Sequence, residues 1–332
     1  MFRSILSNIS SYAVRLLFVL AFVLFPCNNA KAGSRRLSPE KAYNKGEYMF
    51  EEHRYAEALD YYLDAAAEDF MLAQYKVGYL YSKGIGTNRN HKEAARWFRM
   101  AAEQGHCDSQ YLLANYYATG VGVAQNYVEA AKWYRLAGEQ GDDASQFQLG
   151  VLYANGRGVK QSFDEAIKWF ERSAELGNVK AQFNLGVCYS NRHSSSRDCA
   201  KAVKWYLKAA EQGYRNAEYN LAVCYANGDG VAQNYVEAVK WYRRAAEHGD
   251  PSAECNLGVC YEYGNGVEQN YVVAVEWYRK AAEHGDVNAE YNLGHCYQLG
   301  YGVKQDDAEA DRWLHKAADH GHKDAIAYFH GE

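Results

Sequence analysis

The chain has 332 residues, 48% of them hydrophobic and 15% aromatic, with thirty tyrosines, three prolines and a net charge of -5. That wealth of packing residues and scarcity of proline exclude a disordered chain. The mild acidity excludes a surface built to attract nucleic-acid phosphate.

The first 32 residues form a separate segment. Arg3 and Arg15 precede and flank the apolar run Leu16 to Phe25, which is followed by Pro26, Cys27 and the small-residue pattern Ala30-Lys31-Ala32. This is the build of a secretory signal cut near Ala32. Ten apolar residues are too few to span a bilayer. An uncleaved anchor is the alternative, and export predicts a secreted or periplasmic protein, or one in the lumen of the endoplasmic reticulum if the source is eukaryotic.

Residues 33–72 read as an N-terminal cap. Ser38 to Phe70 has helical patterning, and Tyr61 stands one period before Trp97. From Ala73 onward the chain repeats. The seven tryptophans, Trp97, Trp133, Trp169, Trp205, Trp241, Trp277 and Trp313, fall at intervals of 36 residues without a slip, and a fixed period of this size means a solenoid rather than two globular domains. Residues 73–324 hold seven tandem units, and residues 325–332 leave a C-terminal half-helix.

Each unit predicts two helices. In the first, apolar residues recur at helical spacing (Tyr219, Leu221, Ala222, Tyr225), and a small residue sits at the centre (Gly78, Ala114, Gly150, Gly186, Ala222, Gly258, Gly294) where helices cross closely. A G-x-G pair then ends it, as at Gly228 and Gly230. The second helix opens on a capping residue (Asn90, Asn126, Ser162, Asp198, Asn234, Asn270 or Asp306). In five units a Glu three places on predicts a reciprocal capping box. This helix buries the tryptophan and ends at a glycine such as Gly249.

These residues resemble the Sel-one-like repeat, a relative of the tetratricopeptide repeat: A-x-x-x-L-G-x-x-Y-x-x-G-x-G-V, then A-x-x-W-Y-x-x-A-A-x-x-G, over Ala73 to Asp324. The resemblance implies an all-α, right-handed solenoid of antiparallel helix pairs with a tetratricopeptide-like N-terminal cap. It also implies an adaptor or scaffold for other proteins or peptides. Some exported relatives are cysteine-rich and reported as β-lactamase-like, but they carry two cysteines per repeat and this chain does not. A cell-wall or β-lactam hydrolase is therefore the alternative function, and a structural spacer in an envelope assembly is a third.

Candidate chemistry is sparse. Ser38-Pro39-Glu40-Lys41 is the one S-x-x-K match, and it reads better as an N-cap with Pro at N1. No G-x-S-x-G, H-E-x-x-H or phosphate loop occurs. The sequence predicts no catalytic activity, no cofactor and no metal, and it predicts no nucleic-acid partner and no membrane contact beyond an uncleaved signal or a partner. His320-Gly321-His322 is read as solvated surface. Cys188, Cys224, Cys260 and Cys296 share an apolar slot that elsewhere takes Leu80 or Leu152. Cys199, at the start of a second helix, predicts a disulfide with Cys188 across a turn. That turn, residues 191–199, belongs to the unit beginning at Ala181 and replaces G-x-G with Arg192-His193-Ser194.

The partner-binding candidates form a ladder: Asn184, Asn220, Asn256 and Asn292 at one position of the first helix, with Glu218, Glu254 and Glu290 two places earlier in the last three units. In the related tetratricopeptide folds the first helix lines the concave face, where an amide could grip an extended peptide backbone. Bonding within the solenoid is the other reading. Variable positions beside the ladder (Tyr79, Asn115, His295; Lys83, Tyr263, Leu299) are where specificity would be written.

Overall fold

The computed structural model describes residues 37–191 and 198–330, so the signal segment and most of the rebuilt turn lie outside the described residues. Among those residues there are seventeen helices and no strand. Helices α1 (Pro39–Glu51) and α2 (Tyr55–Ala66) form the N-terminal pair. The first helices of the seven repeats are α3 (Met71–Lys83), α5 (Cys107–Thr119), α7 (Asp143–Asn155), α9 (Val179–Ser190), α11 (Arg215–Asn227), α13 (Pro251–Tyr263) and α15 (Val287–Leu299). The second helices are α4 (His91–Glu103), α6 (Tyr127–Glu139), α8 (Phe163–Glu175), α10 (Cys199–Glu211), α12 (Tyr235–Glu247), α14 (Tyr271–Glu283) and α16 (Asp307–Asp319), and α17 (Lys323–His330) closes the stack. Each helix packs mainly on its neighbours in the chain, which makes the molecule a right-handed all-α solenoid with successive core clusters rather than one centre.

The close crossing inside each pair has a single cause. A Cβ added to Gly150 would lie 2.6 Å from the Phe170 ring, and one added to Gly78 would lie 2.7 Å from Phe98, so the side chain that follows the tryptophan, a ring in these repeats and Leu314 in the last, rests on the backbone of the first helix. The N-terminal pair repeats the device with Gly46 under Tyr62. Six of the seven tryptophans are buried and Trp277 is partly so.

The turn between helices departs from the expected capping box. Asn234 Oδ1 accepts from the N–H groups of Val236 and Glu237, as an N-cap should. Its own N–H, however, donates to the carbonyl of Tyr225 at 2.9 Å, and the same bond recurs from Asn90 to Tyr81 and from Asn270 to Tyr261. With that donor already satisfied, Glu237 reaches forward to Lys240 at 3.2 Å.

The two glycines of G-x-G serve different ends. Gly264 closes α13 in the left-handed conformation with φ 72°. Gly266 lies against the carbonyl of Tyr235, at the start of the preceding repeat's second helix, where a Cβ would collide with backbone. No helix among the described residues is long and apolar enough to cross a membrane.

Candidate interaction face

Adjacent repeats are tied at one recurrent junction. In the N-terminal half it is neutral: the Gln74 side chain donates to the Ala66 carbonyl of the preceding repeat and accepts from Gln104 at 2.8 Å. Gln110 with Gln140 and Gln182 with Gln212 repeat the arrangement at 2.7 and 2.8 Å. In the last three repeats the glutamine becomes Glu218, Glu254 or Glu290, all fully buried. Glu218 then receives Arg244 at 3.1 Å and His248 at 2.8 Å. Glu254 receives Lys280 and His284, and Glu290 receives Lys316 and His320.

The substitution is chemically coherent. Glutamine both donates and accepts, whereas a carboxylate only accepts. The lost donor is supplied by the cation at the end of the second helix: Arg244 donates to Ala210, and Lys316 to Ala282, the same backbone position that the glutamine amides reach. Each of these cations also lies over the tryptophan one turn earlier, Arg244 at 4.8 Å from the Trp241 ring.

This placement corrects two expectations. Glu218, Glu254 and Glu290 do not face a partner, because burial compels each carboxylate to spend its charge on its own repeat. His320 is not simply solvated surface but a partner of Glu290, while His322 stacks on Tyr291 with ring centroids 4.1 Å apart. Sequence reasoning missed the junction, although its signal is present as two correlated changes, Gln74 and Gln104 becoming Glu254 and His284, beside a slot that is Met100 in the first repeat and already a cation, Lys208, in the repeat of Gln182 and Gln212.

The four asparagines are half-buried, and each has a partner inside the solenoid. Asn184 donates to the Lys180 carbonyl at 2.8 Å, and Asn292 approaches the Cys255 sulfur at 3.9 Å. Asn220 and Asn256 bond the hydroxyls of Tyr206 and Tyr219. Asn292 also borders open space.

Two recesses open on the face built by the first helices. The smaller, about 270 Å³, lies along α5, α7 and the start of α9, with Tyr111, Phe147 and Lys180 in its walls. The larger, about 510 Å³, lies between α13 and α15. It brings together Tyr263, His295 and Leu299, three of the variable positions, with Glu262, Tyr291 and Asn292. Tyr263 is 65% exposed and Leu299 55%.

The remaining candidates have structural roles or none visible. All seven described cysteines are free, so the predicted bond between Cys188 and Cys199 is not present. Cys188 is sealed in the core, where burial pushes its thiol up to about 11. Cys199 instead begins α10 beside the next repeat, its backbone against Gly230 and its sulfur close enough to contribute to raising the Cys224 thiol. Ser38 caps α1 by accepting the Lys41 N–H at 3.4 Å. Residues 192–197 of the rebuilt turn lie outside the described residues. In front of them α9 ends at Ser190 without a left-handed glycine.

Comparison with known proteins follows the same period. The Sel1 repeat pattern matches residues 72–106, 107–142, 143–178, 179–214, 215–250, 251–286 and 287–322. Among solved structures the chain is similar to c5321, a protective antigen present in uropathogenic Escherichia coli strains and displaying an SLR fold. Identity is 37% and the TM-score 0.79, over 88% of this chain and 65% of that one. This chain thus spans less than two thirds of that relative's length. It is also similar to a Sel1 repeat protein from Oxalobacter formigenes at 32% identity and a TM-score of 0.59, over 72% of this chain and 96% of that one. No curated protein matches.

Proposed function

Because this chain belongs to the Sel1 repeat family, we propose that it is an exported, non-catalytic scaffold that holds partner proteins on the face built by its first helices. Sel1 repeat proteins are generally protein-interaction scaffolds. The observation that carries the reading here is the larger recess. A cavity of about 510 Å³ is walled by Tyr263, Leu299 and Tyr301, large side chains left exposed at the rim, and exposed aromatic clusters of this kind are the anchors of protein interfaces. The non-catalytic part rests on Ser38, whose hydroxyl is committed to capping a helix. Export rests on Arg15, the apolar run after it and Ala30-Lys31-Ala32.

The test is site-specific photocrosslinking in the source cells, with the full gene expressed. A photoreactive residue at Tyr263 or Leu299 should trap a discrete partner, while the same residue at Val128 or Val236, exposed on second helices, should not. Crosslinks from the second helices alone would overturn the assignment of the face. Fractionation of the same cells should place the chain outside the cytoplasm with Gly33 at its N-terminus. A purely cytoplasmic chain retaining Met1 would remove export.

A further inference from the structure

We propose that the larger recess is a receptor for an arginine side chain presented by an extended segment of the partner protein. The inference rests on the interaction-face reading and adds the chemistry of what enters. It begins at Glu262. The equivalent position in the other repeats is Ser82, Ala118, Ala154, Ser190, Ala226 and Gln298, so a carboxylate appears at this slot once. It appears where the cavity is largest among those described.

The surroundings of Glu262 leave its charge unspent. Tyr278 donates its hydroxyl to Oε2 at 2.6 Å, and Tyr263 bonds the same carboxylate. Among the described residues no ion pair involves Glu262. The contrast with its neighbour is direct, for Glu254, two turns earlier on the same helix, has both a lysine and a histidine. A carboxylate with two oxygens and about four lone-pair sites that receives two tyrosine hydroxyls retains acceptor capacity. The negative charge is felt locally: Tyr278 is held well above the usual tyrosine range, first by burial and then by Glu262.

The walls select among cations. Tyr263, Tyr291 and Tyr301 border the cavity, and a cation over a tyrosine face is attracted by the ring quadrupole. A guanidinium is planar, stacks on such rings and forks onto a carboxylate, whereas an ammonium is a compact, strongly hydrated point charge. Leu299 and Val259 supply apolar wall for the methylene stem. The volume suits one long side chain with its flanking backbone, and Asn292 at the edge offers an amide to that backbone. The smaller recess has the opposite character, with Lys180 in its wall and no carboxylate.

The experiment titrates the full chain with three capped pentapeptides, Gly-Leu-Xaa-Leu-Gly, in which Xaa is arginine, its neutral isostere citrulline, or glutamate. Binding is followed by NMR shifts of the Asn292 and His295 amides. Arginine should bind about tenfold more tightly than citrulline, as a charge-assisted pair requires, and glutamate should not bind. Glu262→Gln keeps the acceptor for Tyr278 but removes the charge, so the arginine preference should collapse toward one while the circular dichroism spectrum is unchanged. Tyr263→Ala, at an exposed rim position, should weaken the arginine peptide without affecting folding. Equal binding of arginine and citrulline, a preference that survives Glu262→Gln, or tighter binding of glutamate would overturn the proposal. If none of the peptides binds while Tyr263 still photocrosslinks a partner, the arginine receptor falls and the interaction face stands. If the arginine peptide binds but Tyr263 traps nothing in cells, the arginine receptor stands and the cellular role of the face falls.

Discussion

Glu254 has no solvent around it and two partners on it, Lys280 at 3.0 Å and His284 at 2.7 Å, each of them about half exposed. The asymmetry sets what mutation does. Removing the glutamate frees two groups that can rehydrate, whereas removing both partners strands a buried charge, a change that costs about 3–5 kcal/mol. The chain already contains the neutral solution, in Gln74, Met100 and Gln104. Lys280→Met with His284→Gln should therefore destabilise strongly, and adding Glu254→Gln should recover most of the loss. Urea denaturation followed by circular dichroism orders the two variants; a triple mutant no more stable than the double would refute the equivalence of the junctions. The identities of these residues were legible from the sequence, and their correlated change was too. Their contact was not, because the partners lie 26 and 30 positions apart and meet only once two antiparallel helices are docked.

Elements are bounded here by backbone contacts as much as by propensity. Helix ends and caps were predictable to within a residue or two, since Asn, Asp and Gly announce them. The capping box was not realised, because the N-cap donor had already found a tyrosine carbonyl nine residues earlier in the chain, as with Asn270 and Tyr261 at 2.8 Å. The second glycine of G-x-G carries a further load that a turn signal cannot express. Gly266 and Gly285 both have positive φ, 72° and 88°, yet a Cβ at Gly285 would meet nothing within 4 Å while one at Gly266 would strike the Tyr235 backbone. Gly285→Ala should cost about 1 kcal/mol of backbone strain, and Gly266→Ala about 1–3 kcal/mol more through overpacking against an immovable neighbour. Thermal melts of the two variants measure the difference, and equal losses would show that the contact relaxes freely.

The whole molecule is a row of nearly equivalent interfaces. Its stability is accordingly close to a sum of repeats and junctions, so excision of one full period should be tolerated. Deleting residues 217–252 joins α10 to α13 and leaves Gly266 to meet the Cys199 backbone in place of Gly230. The shortened chain should keep the same fractional helicity and lose stability in proportion. Aggregation or a collapse of helicity would show that the rebuilt turn before α10 makes its repeat unable to accept a new neighbour. The sequence by itself determined the period, the helix pairs, the turns and the capped ends, because these follow from local spacing that repeats every 36 residues. Only the tertiary structure decided which polar residues are interior and which are offered outward. It buried Glu218, Glu254 and Glu290, left Cys188 and Cys199 unbonded, and gathered Glu262, Tyr263, His295 and Leu299 around one recess. The reason is geometric: periodicity assigns a residue to a helix position, but burial and partners are set by the neighbouring helices that close over it.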